Sequence, residues 1–288
     1  MRSRSGFFCF SLGLVLAVGA SIVTQEKGAE STLIHRLGTM GTDTKNDIPP
    51  KRIVIPRLNG PVEIDGRLTE PVWKNAAVIY SFIQNDGTKE ETERTELRLF
   101  YDADYLYLGW ICTDSDIQGT MTQRDSNLWE EEVVECFLAP QEPTRYFELE
   151  WNPLGTIFDA MITNYLGKDG LSSRIEGDRS WDARNMKSIV VVEGTRNNHE
   201  SKDKEWRVEI ALPFSDLNVA APKSGDCWRG NFYRYNRTFG KPLELVAWSP
   251  TLTPSFHEPN RFGYIEFGER GSKTENFEKY SLGNFPNR

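Results

Sequence analysis

The chain has 288 residues, of which 38% are hydrophobic and 26% charged, and a formal charge of −8. A chain of this length buries a sizeable core without disulfide staples. Its acidity excludes nucleic acid as the natural partner, because phosphate neutralisation requires a basic face, and leaves neutral ligands or cations such as calcium.

Residues 1–20, MRSRSGFFCFSLGLVLAVGA, carry two arginines, an apolar run and small residues at Val18 and Ala20. This is the pattern of a secretory signal peptide, too short for a bilayer-spanning helix. Its removal would move the charge from −8 to −10, since Arg2 and Arg4 leave and no acid does. The expectation is a secreted or periplasmic product with no membrane partner. Residues 21–50 are polar and aperiodic and read as a flexible leader, and residues 269–288 read as a flexible tail. The stretch between, 51–268, has the size of one large β domain.

TEPVWKNA, with Thr69 as a candidate N-cap and Pro71 in the first turn, predicts a short helix. TELRLFY and YLYLGWICTD flank Asp102–Asp104 as a hairpin. RYFELEWN and TIFDAMI flank Asn152-Pro153-Leu154-Gly155, with Pro second and Gly fourth as a type I turn prefers. MKSIVVVEG and KEWRVEIAL form a third hairpin around a polar loop, and CWRGNFYRYNR, LELVAW and RFGYIEF supply further strands. Many short strands at this spacing predict an all-β, antiparallel sandwich of one domain. Cys112, Cys136 and Cys227 fall in strand patterns and read as small buried hydrophobes, with one disulfide as the alternative in an oxidising compartment.

Strand parity places the polar residues. In YFELEWN, Phe147, Leu149 and Trp151 share one face, and Tyr146, Glu148, Glu150 and Asn152 the other. In VVECFL, Val134, Cys136 and Leu138 form the apolar face and Glu135 points oppositely, so Glu135 and Glu148 belong to a polar sheet face. Trp110, Trp151, Trp206 and Trp228 sit in strand patterns and read as core. Trp129, in RDSNLWEEE, sits among charged and amide residues beside Leu128. It is either a plug folded over the sandwich end or an exposed platform of the kind a sugar ring covers with its axial C–H groups.

The blocks VEIDGRLTEPVWKNA, YDADYLYLGWICTDSDI, RDSNLWEEEVVECFLAP, YFELEWNPLGTIFDA, EWRVEIALPFSDL, GDCWRGNFYRYNR and FHEPNRFGYIEF occur in one order from about Ile53 to Phe267. In this the chain resembles family-nine carbohydrate-binding modules and their family-nine-like relatives. The resemblance implies a sandwich that holds an oligo- or polysaccharide end between two aromatic side chains, with structural calcium nearby. It places Trp129 at one aromatic position and Phe256 at the other, where sugar-binding members carry tryptophan. Glu135 matches a carboxylate that accepts sugar hydroxyls, Arg234 and Asn236 fall near polar residues of a facing strand, and Glu148 stands where those members carry arginine. A structural or protein-binding sandwich with a degenerate sugar site is the alternative.

Catalysis is not expected. Glu148 and Glu150 are roughly 7 Å apart along one strand face, within the range of a carboxylate pair in glycoside hydrolysis. No nucleophile or metallohydrolase motif accompanies them. Asp114 and Asp116 in CTDSDI offer hard oxygens suited to calcium and equally suit a turn at a strand end.

Overall fold

The computed structural model describes residues 48–270. The expected signal peptide, most of the leader and most of the tail lie outside the described residues. The alternating runs become strands: β1 (Arg52–Arg57), β2 (Ala77–Ile79), β3 (Ile83–Gln84), β4 (Thr95–Tyr101), β5 (Tyr105–Thr113), β6 (Val133–Ala139) and β7 (Arg145–Trp151). They continue as β8 (Ile157–Leu166), β9 (Ser172–Asp178), β10 (Lys187–Glu193), β11 (Glu205–Pro213), β12 (Cys227–Asn236), β13 (Glu244–Ala247) and β14 (Gly263–Arg270). The three sequence-predicted hairpins are β4–β5, β7–β8 and β10–β11. The second turns where expected, with Gly155 N–H donating to Asn152 O at 3.0 Å and Gly155 at φ +81°.

Neighbouring strands run β10-β11-β5-β4-β1-β14-β12-β6-β7-β8-β9, and this path folds over so that its two halves face each other. Leu97, Leu99, Trp110, Trp206, Val208 and Ile210 of one layer share a core with Val134, Cys136, Leu138, Leu149, Trp151 and Phe232 of the other. Trp110 and Phe232 meet edge-on across the layers at 6.2 Å. Each such side chain contributes about 1.5–3 kcal/mol by leaving water.

Four features depart from the sequence reading. β1 is parallel to both β14 and β4, which the long chain between them permits, and its register slips after Ile55, beside Pro56, which has no N–H to donate. The TEPVWKNA segment is a 3-10 turn over Pro71–Asn75, flanked by Glu70 rather than capped by Thr69. β9, SSRIEGD, is an additional strand whose exposed side chains show no apolar alternation and which is specified by pairing with β8. Cys112 and Cys136 are buried free thiols, whereas Cys227 is exposed.

Candidate functional site

The outward face of β12-β6-β7-β8-β9 is where the polar residues gather. β6 is buried along its whole length, because a second cluster covers this face. The cluster includes Leu128, Phe137, Tyr146, Phe158, Tyr233, Phe256 and Phe262. Register fixes what lies side by side on it: Tyr233 opposite Glu135, Glu135 opposite Glu150, and Glu150 opposite Phe158.

A cavity of about 420 Å³ opens over this face, between walls carrying Trp129, Phe158, Tyr235 and Phe256 and a floor carrying Glu135 and Glu148. Its far wall is β9, which brings Ile175 and Gly177, with Arg179 just beyond its end. The 3-10 turn Leu128–Glu130 divides two roles between neighbours. Leu128 is fully buried and is the plug, while Trp129 is half-buried, edge-on to Phe158 at 5.3 Å, and lines the cavity. Arg237 holds this turn by donating to Trp129 O at 2.9 Å, and the Arg179 guanidinium lies 5.3 Å from the Trp129 ring centre and 5.1 Å from that of Phe158. Phe256 reaches the cavity but is stacked on Tyr233 at 4.0 Å and only 3% exposed, so Trp129 and Tyr235 present more ring surface than Phe256 does.

The floor is a set of buried acids. Glu135, Glu148 and Glu150 each bring one oxygen within 4.8 Å of the others. Burial pushes Glu148 up to about 8, and burial with mutual repulsion holds Glu135 and Glu150 well above the usual carboxylate range. Both Glu150 oxygens are sealed and have no hydrogen-bond partner. His257 Nε2 lies 3.6 Å from Glu148 Oε1. This is not an ion pair, because burial lowers His257 to about 4 and leaves a neutral imidazole at pH 7. Its Nδ1 lies 2.6 Å from the Tyr146 hydroxyl.

Arg234 and Asn236 do not reach this cavity. Tyr233 and Tyr235 take the outward face of β12, so by parity Arg234 and Asn236 point between the layers. Arg234 is fully buried there and donates to Asp114 Oδ2 at 3.0 Å, Glu132 Oε1 at 3.1 Å and Thr113 O at 3.0 Å. Asp114 is thus taken up by arginine. Asp116 accepts from Gln118 Nε2 at 2.7 Å and Phe239 N–H at 2.6 Å, and lies 2.8 Å from His199 Nδ1. The CTDSDI acids therefore do not fit a calcium ion. Asp125, Asp159 and Asp182 form a second acidic group, and there Arg124 already bonds Asp159 at 2.5 Å and Asp182 at 3.3 Å.

A family model described as carbohydrate-binding family 9 matches residues 69–267, most of the chain and all of the cavity's residues. The chain belongs to carbohydrate-binding family 9. Solved structures similar to this family 9 chain include a candidate carbohydrate-binding protein from Bacteroides uniformis, 16% identical, covering 76% of this chain and 99% of that one at a TM-score of 0.58. A family 9 carbohydrate-binding module from Caldicellulosiruptor kristjanssonii in complex with cellotriose is 15% identical and covers 83% and 100% at 0.52. A family 9 carbohydrate-binding module of the same organism in complex with glucose is 16% identical and covers 76% and 97% at 0.53. At such identities the likeness carries the sandwich fold alone. No curated protein matches this family 9 chain. Among its described residues no helix is long and apolar enough to cross a membrane.

Phe158, Tyr235 and Arg179 are cavity residues that sequence reasoning did not single out. Phe158 had a usable signal, since the predicted hairpin around Asn152–Gly155 sets it opposite Glu150, whereas Tyr235 needed the register of β12 with β6. Arg179 follows a strand without periodicity and had none.

Proposed function

We propose that this chain is an exported, non-catalytic carbohydrate-binding domain that takes a sugar unit into the cavity over β12-β6-β7-β8-β9. The observation that carries the reading is the pairing of aromatic walls with a carboxyl floor on rigid strands. Trp129 and Tyr235 offer ring surface for sugar C–H groups, while Glu135 and Glu148 accept hydroxyl hydrogens from below. The pocket volume of about 420 Å³ lies in the range of small-molecule sites. Membership of a carbohydrate-binding family supports the same conclusion.

Glu135 and Glu148 stand diagonally on one sheet face, an arrangement that supports contact with a sugar from one side over the two carboxylates flanking a scissile bond in a glycosidase. Glu150, fully buried, does not line the cavity.

A glycan array probed with the purified chain tests the reading, with each bound glycan then incubated with the protein and assayed for reducing ends. The expected outcome is retention of oligosaccharides with no increase in reducing ends. An array on which nothing is retained speaks for a sandwich without a working sugar site. Reducing-end release that disappears in Glu148→Gln speaks for an enzyme.

A further inference from the structure

The cavity floor holds more acid than the protein compensates. Glu135, Glu148 and Glu150 are 2%, 5% and 0% exposed. Among the described residues none donates a hydrogen bond to Glu135, whose carboxyl faces only burial and the repulsion of Glu148. Both oxygens of Glu150 lack a donor. The neighbouring imidazole of His257 is neutral and lies beyond hydrogen-bond distance of Glu148. Tyr146, Tyr233 and Tyr235, the other titratable groups on this face, are uncharged phenols held above their ordinary range by burial. Arg179, the cation at the rim, is exposed and donates to Asp125 O at 3.3 Å and Asn127 Oδ1 at 3.2 Å; its charge draws Glu148 and Glu150 down only in part, against the larger effect of burial, and it makes no ion pair with the three acids.

A buried acidic carboxyl set of this kind is stabilised by a ligand that brings N–H or O–H donors and a positive charge together. A neutral sugar brings the donors alone. A calcium ion brings charge but takes six to eight oxygens, and the walls above the acids are mostly rings and isoleucines. An ammonium needs only acceptors for its N–H groups, and Glu135 and Glu148, which line the floor with one oxygen each within 4.8 Å of the other, offer acceptors at that scale.

We propose that the cavity selects a sugar carrying a free amine, protonated when bound, with its ammonium seated on Glu135 and Glu148 above Glu150 and the proton those acids hold released to water as it binds. The inference rests on reading the cavity as a sugar site and names the class of sugar. The ring packs against Trp129 and Tyr235 while the amine points to the floor. Glu150 lies behind the other two, adds to their repulsion and touches no ligand.

Calorimetric titration of the full chain with glucosamine, N-acetylglucosamine and glucose at pH 7 tests it. Glucosamine is expected to bind about tenfold or more tightly than either neutral sugar, the scale of one charge-assisted hydrogen bond. That preference is expected to vanish in Glu135→Gln and in Glu148→Gln, each with a thermal melt to show that it folds, so that either variant alone suffices. Glucose binding as tightly as glucosamine overturns the amine inference and leaves the sugar reading standing. Binding of none of the three, together with an empty glycan array, removes both. A preference for the amine that survives in both Gln variants, or that appears only when calcium is supplied and is lost in EDTA, also overturns it.

Discussion

Arg234→Met is expected to destabilise the domain by about 3–5 kcal/mol, the cost of removing one partner from a buried ion pair. The guanidinium is fully buried and bonds Asp114, Glu132, Thr113 O and Asn236 from the middle of β12. Replacing it with an apolar chain of similar length keeps the packing and leaves two carboxyls facing each other between the layers. The loss is expected to be smaller at pH 5 than at pH 8. Burial and Asp114 hold Glu132 well above the usual carboxylate range, so at low pH a proton replaces part of what arginine supplied. Arg234→Lys is expected to recover only part of the loss, because a single ammonium cannot reproduce the guanidinium's fork. Thermal melts read these outcomes as a drop on the order of 10 °C for Arg234→Met. A melt unchanged within 2 °C or so at both pH values contradicts the structural role of this cluster.

Glu150→Gln is expected to do the opposite and stabilise the protein, by about 1–3 kcal/mol at pH 8, the cost of an unsatisfied buried group. A carboxyl whose folded-state pKa exceeds its unfolded value contributes stability below the unfolded pKa and loses it as pH rises through the folded value. For Glu148 that window runs from 4.5 to about 8, and Glu135 and Glu150 shift in the same direction. The wild type is therefore expected to weaken across this range. In Glu150→Gln one acid leaves the cluster and the new amide can donate to its neighbours, so the decline becomes shallower and the two proteins converge near pH 5. Urea denaturation at pH 5, 6.5 and 8, with EDTA present, measures the difference. A variant that is less stable than wild type at pH 8 contradicts an uncompensated Glu150.

Much of the site was legible because strand parity is a strict rule. Alternation in YFELEWN and VVECFL alone placed Glu148 and Glu135 opposite an apolar face, and the isolation of Trp129 in a polar loop marked it. The same rule, applied to FYRYNR, separates Tyr233 and Tyr235 from Arg234 and Asn236 without saying which pair faces the ligand. Assigning the charged pair to the cavity followed the family resemblance, which places polar residues of a facing strand there. The register with β6 decides otherwise, placing Tyr233 beside Glu135. The acids that make a buried arginine tolerable, Asp114 and Glu132, were visible in the sequence but not their convergence on it. β9 was illegible for a different reason, since a strand whose side chains are exposed has no hydrophobic period to read and exists because β8 offers it a pairing edge. Phe256 was located but not its packing, which depends on the Tyr233 ring beneath it.

Trp129 is the most direct test of the sugar cavity, because its neighbour Leu128 does the plugging and leaves its ring to line the pocket. A contact that removes some 60–80 Å² of apolar surface contributes roughly 1.5–2 kcal/mol. Calorimetry of wild type and Trp129→Ala with the tightest glycan from the array, paired with a thermal melt of each, separates binding from folding. The expected result is an affinity loss on the order of tenfold or more with the fold retained and a stability cost well below the roughly 3–5 kcal/mol of a core tryptophan. Unchanged affinity, or a collapse in melting temperature of core magnitude with no sugar bound by either protein, would contradict a sugar seated against Trp129.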